Sequence, residues 1–357
     1  MSSPCPPRWL HAVTRRANVL LPWVSGAAGT AMLVWVLWRI DYAAFRATLA
    51  NANLWLVALV PVAILFEQWV AAAKWTLLLA ALGGARLSRV FAASMAATLA
   101  GYVVPAVGSA VARCWLVARC EGLKFTPVLA SVAVNRTVDA AALVCFAIAA
   151  LLLVGLPQSS ASLHTGIIAG VAGASVVLAV FVALLMAFRR SVQSGVRGGE
   201  PGGGPVVHRL LSWLPARWRE RARRFVDQLA EGIAWPRNAW RASAIVFLAF
   251  CIKALAATNL MWAGLALGVP LGFPQYVLLM VLLGFVVVLA RFVRIPGSFL
   301  LAATFLLELY GVDRERALAM ALIVQVSAIV SVTAVAAVAL TWFGAELREL
   351  KAAHKAP

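Results

Sequence analysis

The chain of 357 residues is 63% hydrophobic and 12% charged, with a mean hydropathy of +0.92 and a formal charge of +18. A soluble domain of this length carries about 25% charged residues, so a cytosolic enzyme, a secreted disulfide scaffold and a disordered chain are excluded and an integral membrane protein is expected. In such a chain a Lys and Arg surplus points to orientation and anionic-lipid contact, not to nucleic acid.

About 20 apolar residues cross the hydrocarbon core as a helix. On that measure there are about eight hydrophobic segments, at 19–38, 54–82, 89–119, 127–155, 165–187, 242–268, 275–310 and 317–343. The expected fold is an all-α, polytopic membrane helix bundle. The first segment follows Arg8, Arg15 and Arg16 and is too long for a signal-peptide core, so it reads as an uncleaved anchor. The second holds Glu67 and then Lys74, a lysine expected to snorkel to the inner interface.

Segment 89–119 poses a conflict. Arg86 and Arg89 before it, and Arg113, Arg119 and Lys124 at its end, all favour the cytoplasm, yet a single crossing would separate them. A re-entrant hairpin turning near Gly101, Pro105 and Gly108 removes the conflict, because broken backbone at depth is tolerated against protein or a wet cavity. The next segment carries Asn135, Arg136 and Asp139 at spacings that let all three share one helix face. An ion pair between Arg136 and Asp139 is expected, with either a structural or a substrate-contacting role.

Between Phe188 and Arg241 stand eleven arginines, four acids and no lysine, the composition of a cytoplasmic loop. It opens with a Gly/Pro tract from Gly195 to Pro205. It continues over 206–234 as an amphipathic pattern with Leu210, Leu214, Trp218, Phe225, Leu229 and Ile233 opposite Arg217, Arg221 and Arg224. This helix is expected either on anionic inner-leaflet lipids or packed on the protein. The chain so divides into a membrane half (1–187), the basic loop (188–241) and a second membrane half with a short cytoplasmic tail (242–357).

In the second half, Gly264 and Gly268 form a small-residue step suited to helix packing. Segment 275–310 exceeds one span and breaks at Arg294-Ile295-Pro296-Gly297. As a second hairpin it would make the halves inverted repeats. Pro105 precedes Arg136 by 31 residues and Pro296 precedes Gln325 by 29. Two ordinary kinked helix pairs are the alternative. Facing hairpins are a transporter construction with the site near the midplane. Loop parity places both termini of this multi-pass chain in the cytoplasm.

Ionisable groups within spans are expensive, so each marks a candidate site. Arg113, Arg136, Arg291 and Arg294 suit a phosphate, which the guanidinium fork grips with paired bonds. With Asn135 and Asp139 they form the substrate-binding candidates, and Pro105, Gly108, Pro296 and Gly297 mark the hairpin turns. Glu67, Asp139 and Glu308 are the groups available for proton coupling, and Lys253, Asn259 and Gln325 are embedded as well. The five cysteines and four histidines lack metal-ligand spacing, so neither a metal nor a cofactor is expected. No Walker A, H-E-x-x-H or G-x-S-x-G run is present.

The run Val104-Pro105-Ala106-Val107-Gly108, then Arg113, then Asn135-Arg136-Thr137-Val138-Asp139, followed by Ile295-Pro296-Gly297 and Gly311-Val312, resembles the flippase-like, or lysylphosphatidylglycerol synthase transmembrane region, family over 19–343. The family's acid after the first turn is missing at Ser109-Ala110, its Glu is Asn135, its acid after the second turn is apolar around Ala303, and its last-span Arg is Gln325. Such departures fit a divergent branch, for example a hopanoid-associated one.

The resemblance implies a translocator of a phospholipid or an isoprenoid lipid in a bacterial-type inner membrane, without the aminoacyl-transferase part that some members carry. Two alternatives stay open: a transferase on a lipid carrier using Asp139 or Glu67 as base, and a non-transporting partner of lipid-biosynthesis enzymes.

Overall fold

The computed structural model describes Val34, Trp38 and residues 41–103, 107–153, 161–197, 216–233, 235, 236, 238–293 and 297–353. Among these there are eleven α-helices and no strand. In chain order they are α1 (Tyr42–Ala50), α2 (Leu54–Leu79), α3 (Leu87–Val103), α4 (Val107–Glu121), α5 (Phe125–Leu153), α6 (Ala161–Arg197), α7 (Ala216–Gly232), α8 (Ala239–Ala266), α9 (Phe273–Val293), α10 (Ser298–Leu309) and α11 (Arg314–Ala353). The segment expected at 19–38 lies outside the described residues, apart from Val34 and Trp38.

Among the described residues five stretches are long and apolar enough to cross a membrane: Leu54–Leu82, Phe125–Leu153, Ile168–Phe188, Ala239–Ala266 and Arg314–Thr341. Their outer faces carry large apolar side chains with no protein cover, such as Val176, Val177, Val180 and Phe181 along α6. A continuous apolar surface of this kind is stable against lipid and not against water. The chain is a polytopic helical membrane protein.

The described residues form two compact units, Met1–Val60 with Asn259–Val326, and Pro61–Thr258 with Ser327–Pro357. In the second unit α3 and α4 lie side by side, and both α4 and α7 pack on α5. Its core draws Trp75, Leu78 and Leu79 from α2, Val90 and Ala93 from α3, Cys114 and Val117 from α4, and Val128 and Val134 from α5. Ile245 of α8 and Ala339 of α11 complete it. The many alanines let helix backbones approach closely, which is how helices associate where lipid removes the hydrophobic drive between them.

The base of the α3–α4 pair is tied across the chain. The Glu121 carboxylate accepts from the Arg86 backbone N–H at 3.1 Å and lies 3.8 Å from the Arg89 guanidinium. Arg89 Nη1 also donates to the Cys120 carbonyl at 3.0 Å. The start of α3 and the end of α4 are therefore neighbours, and segment 89–119 turns back on itself as a helical hairpin. Val104, Pro105 and Ala106, where the turn was expected, lie outside the described residues.

In the first unit segment 275–310 likewise divides, into α9 and α10, which pack together. Helix α10 starts from Gly297 in the left-handed region (φ 71°), a conformation that costs an L side chain about 1–2 kcal/mol. Gly264 meets the Tyr276 ring, which occupies the space a Cβ would need, so it serves close packing as expected. Gly268 instead has φ 65° and forms the turn that ends α8, where Val269 N–H returns to the Gly264 carbonyl at 2.9 Å. The expected packing role of Gly268 is corrected accordingly.

Two expectations for the basic loop also change. Helix α6 runs on to Arg197, so the tract expected to be flexible from Gly195 begins as helix. Helix α7 packs on α5 and α6, with Gly232 against Pro127 and Ala130 and with Ile233 on the core. Of the two readings offered for 206–234, the described part is the one docked on the protein. The physical reason is Gly232, whose missing side chain lets the two backbones touch.

Candidate functional site

Asp139 lies midway along α5 and Lys253 midway along α8, where a spanning helix is deepest in hydrocarbon. Charge at this depth needs a partner. The Lys74 ammonium, with no exposed side-chain surface, makes an ion pair and hydrogen bond with the Asp139 carboxylate. This corrects two expectations. Lys74 does not snorkel, because α2 packs it into the protein interior. Asp139 is engaged by Lys74 across the helix interface and not by Arg136 within its own helix.

Arg136 and Lys253 both bear electrostatically on Lys74, and Arg136 and Asp139 both bear on Arg113. The Arg113 guanidinium stacks 4.0 Å from the centroid of the Trp75 ring, within cation–π range. Trp75 is itself fully buried, and its Nε1–H donates to Ser131 Oγ at 3.1 Å. The Ser131 hydroxyl donates in turn to the Val128 carbonyl at 2.7 Å, so a chain of fixed contacts runs from α5 through α2 to Arg113 on α4. A guanidinium held by its face keeps its N–H edge for a ligand, the geometry that favours forked bonds to a phosphate.

Among the described residues no carboxylate forms an ion pair with Arg113, Arg136 or Lys253. Asn135, beside Arg136, is buried, and its Oδ1 finds no hydrogen-bond partner in the protein. Buried polar atoms are satisfied in the great majority of cases, so such an orphan marks either a ligand contact or a water site. Among the described residues the Asp139 carboxylate is thus taken by Lys74, and the Asn135 orphan is an acceptor, which a donor and not an anion would satisfy.

The remaining sequence candidates fall elsewhere. Glu308 is engaged by Arg314, closing the turn between α10 and α11, where Val312 N–H also donates to the Leu307 carbonyl at 3.1 Å. Glu67 is half-buried on α2, two turns before Lys74. Arg294 and Pro296, like Pro105, lie outside the described residues, and so do the side-chain surroundings of Gly108 and Arg291. No group of His, Cys, Asp and Glu able to hold a metal occurs among the described residues.

Sequence reasoning missed Lys74 as a site residue and did not connect Lys253 with Arg136. It also overlooked Trp75 and Ser131. The signal for Lys74 was its position inside an apolar helix of 29 residues, eight before the end of the span, which is too deep for a head group to be assumed at the surface. Nothing in the sequence indicates that Trp75 would meet Arg113.

Residues 23–336 match the family model of the lysylphosphatidylglycerol synthase TM region. No curated protein and no solved structure matches the chain.

Proposed function

We infer the function from the premise that the chain belongs to the lysylphosphatidylglycerol synthase TM region family, and so to membrane proteins of lipid metabolism. On that premise we propose that it translocates a phospholipid or polyprenyl-linked lipid across a bacterial inner membrane, its headgroup phosphate met by cations at mid-depth. The observations that carry this reading are the enclosed Lys74–Asp139 ion pair at mid-span and the Arg113 guanidinium stacked over the neighbouring Trp75 ring. Cations without carboxylates are tolerated in a membrane interior when they face a wet pathway or a bound anion, and a lipid crossing the bilayer must bring its phosphate through that depth.

The α3–α4 pair supports the same reading. A helical hairpin whose base is held by Arg89 and Glu121, and whose returning helix carries Arg113, sets a phosphate ligand on an element that need not span. We take this hairpin to be re-entrant, with its base at the cytoplasmic face. Helices α9 and α10, broken before Gly297, form the counterpart in the other unit. Both termini are taken as cytoplasmic, and α7 with its arginines as the surface where lipid-biosynthesis enzymes or anionic inner-leaflet lipids would meet the protein.

The test is movement of a fluorescent-tailed lipid between leaflets of liposomes containing the purified protein. The comparison is wild type against Arg136→Gln and Arg113→Gln. Movement in the wild type, with a loss of about tenfold or more in either variant, is the expected result. Equal movement in all three, or none for any lipid class, would reject the reading.

A further inference from the structure

We propose that Asn135 is a specificity-determining residue of the lipid site: its carbonyl oxygen accepts a hydrogen bond from a hydroxyl or ammonium group that the headgroup carries beside its phosphate. The inference rests on the translocator reading above and names the substrate class of the same site.

Three side chains on one face of α5 carry it. Ser131, Asn135 and Asp139 follow one another at four-residue steps, so they stack along the helix about 6 Å apart. Helix α2 supplies a donor to each outer member. Trp75 Nε1–H donates to Ser131 Oγ at 3.1 Å, and the Lys74 ammonium is bonded to the Asp139 carboxylate. The middle member receives none. Asn135 is only 5% exposed, and its Oδ1 finds no hydrogen-bond partner in the protein.

Register explains why α2 leaves this acceptor alone. Just past the end of α2, Gly83 faces Leu123, whose side chain lies 3.3 Å from where a Cβ would stand. Eight residues before Gly83, Trp75 meets Ser131, eight residues after Leu123. The two helices therefore run antiparallel, and one further turn brings Ala71 to the level of Asn135. Residues 71–73 are all alanine, so this stretch of α2 offers methyl groups and no donor. The nearest donors on α2, Trp75 and Lys74, are already committed. A buried carbonyl without a partner costs about as much as a lost hydrogen bond, and a donor carried by the ligand removes that cost.

The phosphate contact lies beside it. The Arg113 guanidinium is 4.0 Å from the centroid of the Trp75 ring, and that ring is bonded to Ser131, one turn from Asn135. A headgroup whose phosphate meets Arg113 is thus brought to the same stretch of α5. A glycerol, sugar or ethanolamine headgroup presents an O–H or N–H to the Asn135 carbonyl. A choline or methyl headgroup ends in methyl groups and buries the carbonyl unpaired. Sites built to hydrogen-bond a substrate group discriminate most sharply against the analogue that lacks it.

The experiment titrates the purified full chain in uncharged detergent with lipids that share one fluorescent tail, in two pairs matched in charge. Phosphatidylglycerol is set against phosphatidylmethanol, which lacks its hydroxyls, and phosphatidylethanolamine against phosphatidylcholine, which lacks its N–H donors. In at least one pair the donor-bearing lipid is expected to bind about tenfold or more tighter than its counterpart. A gap in the first pair identifies the donor as a hydroxyl, and a gap in the second as an ammonium. Asn135→Leu should close the gap, whereas Arg113→Gln should weaken both members of the pair alike. The comparison in the wild type decides the question even where a variant fails to fold.

Equal or absent binding in both pairs would overturn the assignment, and so would a gap that Asn135→Leu leaves unchanged, the result expected if Asn135 holds only a water. If the paired lipids bind equally and cross liposomes containing the protein, the translocator reading stands while this inference falls. If a gap closed by Asn135→Leu appears but no lipid crosses, the headgroup selection stands and the translocator reading falls. If no lipid binds and none crosses, both fall.

Discussion

Lys74 and Asp139, 65 residues apart in the chain, meet as a buried ion pair between α2 and α5, with the lysine side chain wholly enclosed. An enclosed ammonium cannot be left alone, and its partner is the acid midway along a 29-residue span. The pair compensates the Lys74 charge within the protein and occupies the Asp139 carboxylate.

The pair itself should behave as a unit. Either Lys74→Met or Asp139→Leu strands a buried charge and should lower stability by about 3 to 5 kcal/mol, read as a fall in melting temperature in detergent. The double variant Lys74→Met with Asp139→Leu should recover most of that loss, since two apolar groups of similar bulk replace the pair. Losses that simply add would show that the two side chains do not act on each other.

Trp75 is expected to position Arg113. Trp75→Phe retains an aromatic face but gives up the bond to Ser131, and a weaker cation–π contact of about 0.5–2 kcal/mol is at stake. Binding of a phosphate lipid should weaken by up to about thirtyfold with only a small change in melting temperature. Ser131→Ala should produce a smaller effect in the same direction. Unchanged lipid binding in both variants would leave Trp75 with a packing role alone.

The α3–α4 hairpin predicts that its two ends emerge on one side of the membrane. Single cysteines replacing Arg86 and Lys124, both exposed, in a chain otherwise free of cysteine should be labelled by a membrane-impermeant maleimide from the same side. Labelling from opposite sides would mean that the segment crosses and would remove the base formed by Arg89 and Glu121.

Docking of the basic helix depends on Gly232. A side chain there would run into the Pro127 backbone and lie 2.6 Å from the Ala130 Cβ, so Gly232→Val should push α7 away from α5. The cost is that of overpacking, about 1–3 kcal/mol, and the released arginines of α7 should become faster sites for trypsin. A cleavage pattern identical to that of the wild type would place the contact lower in importance.

Much of the fold was legible because hydrocarbon is an unforgiving solvent. A run such as 127–155 has one way to satisfy its backbone in lipid, and its helix appears at Phe125–Leu153. The hairpin at 89–119 was readable from charge alone, since arginines at both ends favour one face, and the Arg86–Glu121 bond shows those ends together. Arg136 and Asp139 stood out as ionisable groups in an apolar run, and Pro296-Gly297 as a break in one.

What remained hidden was partnership. Spacing along α5 offered Asp139 a neighbour at Arg136, because residues three apart share a helix face, yet no local rule reports what the adjoining helix presents. Lys74 won that contact, and Lys253 and the Trp75 face reached the same region from helices far away in sequence. Composition and periodicity by themselves determined that the chain is a helical membrane bundle and which residues carry costly charge at depth. Only the tertiary structure decided which charges pair, because pairing depends on side chains from different helices meeting within a few ångströms.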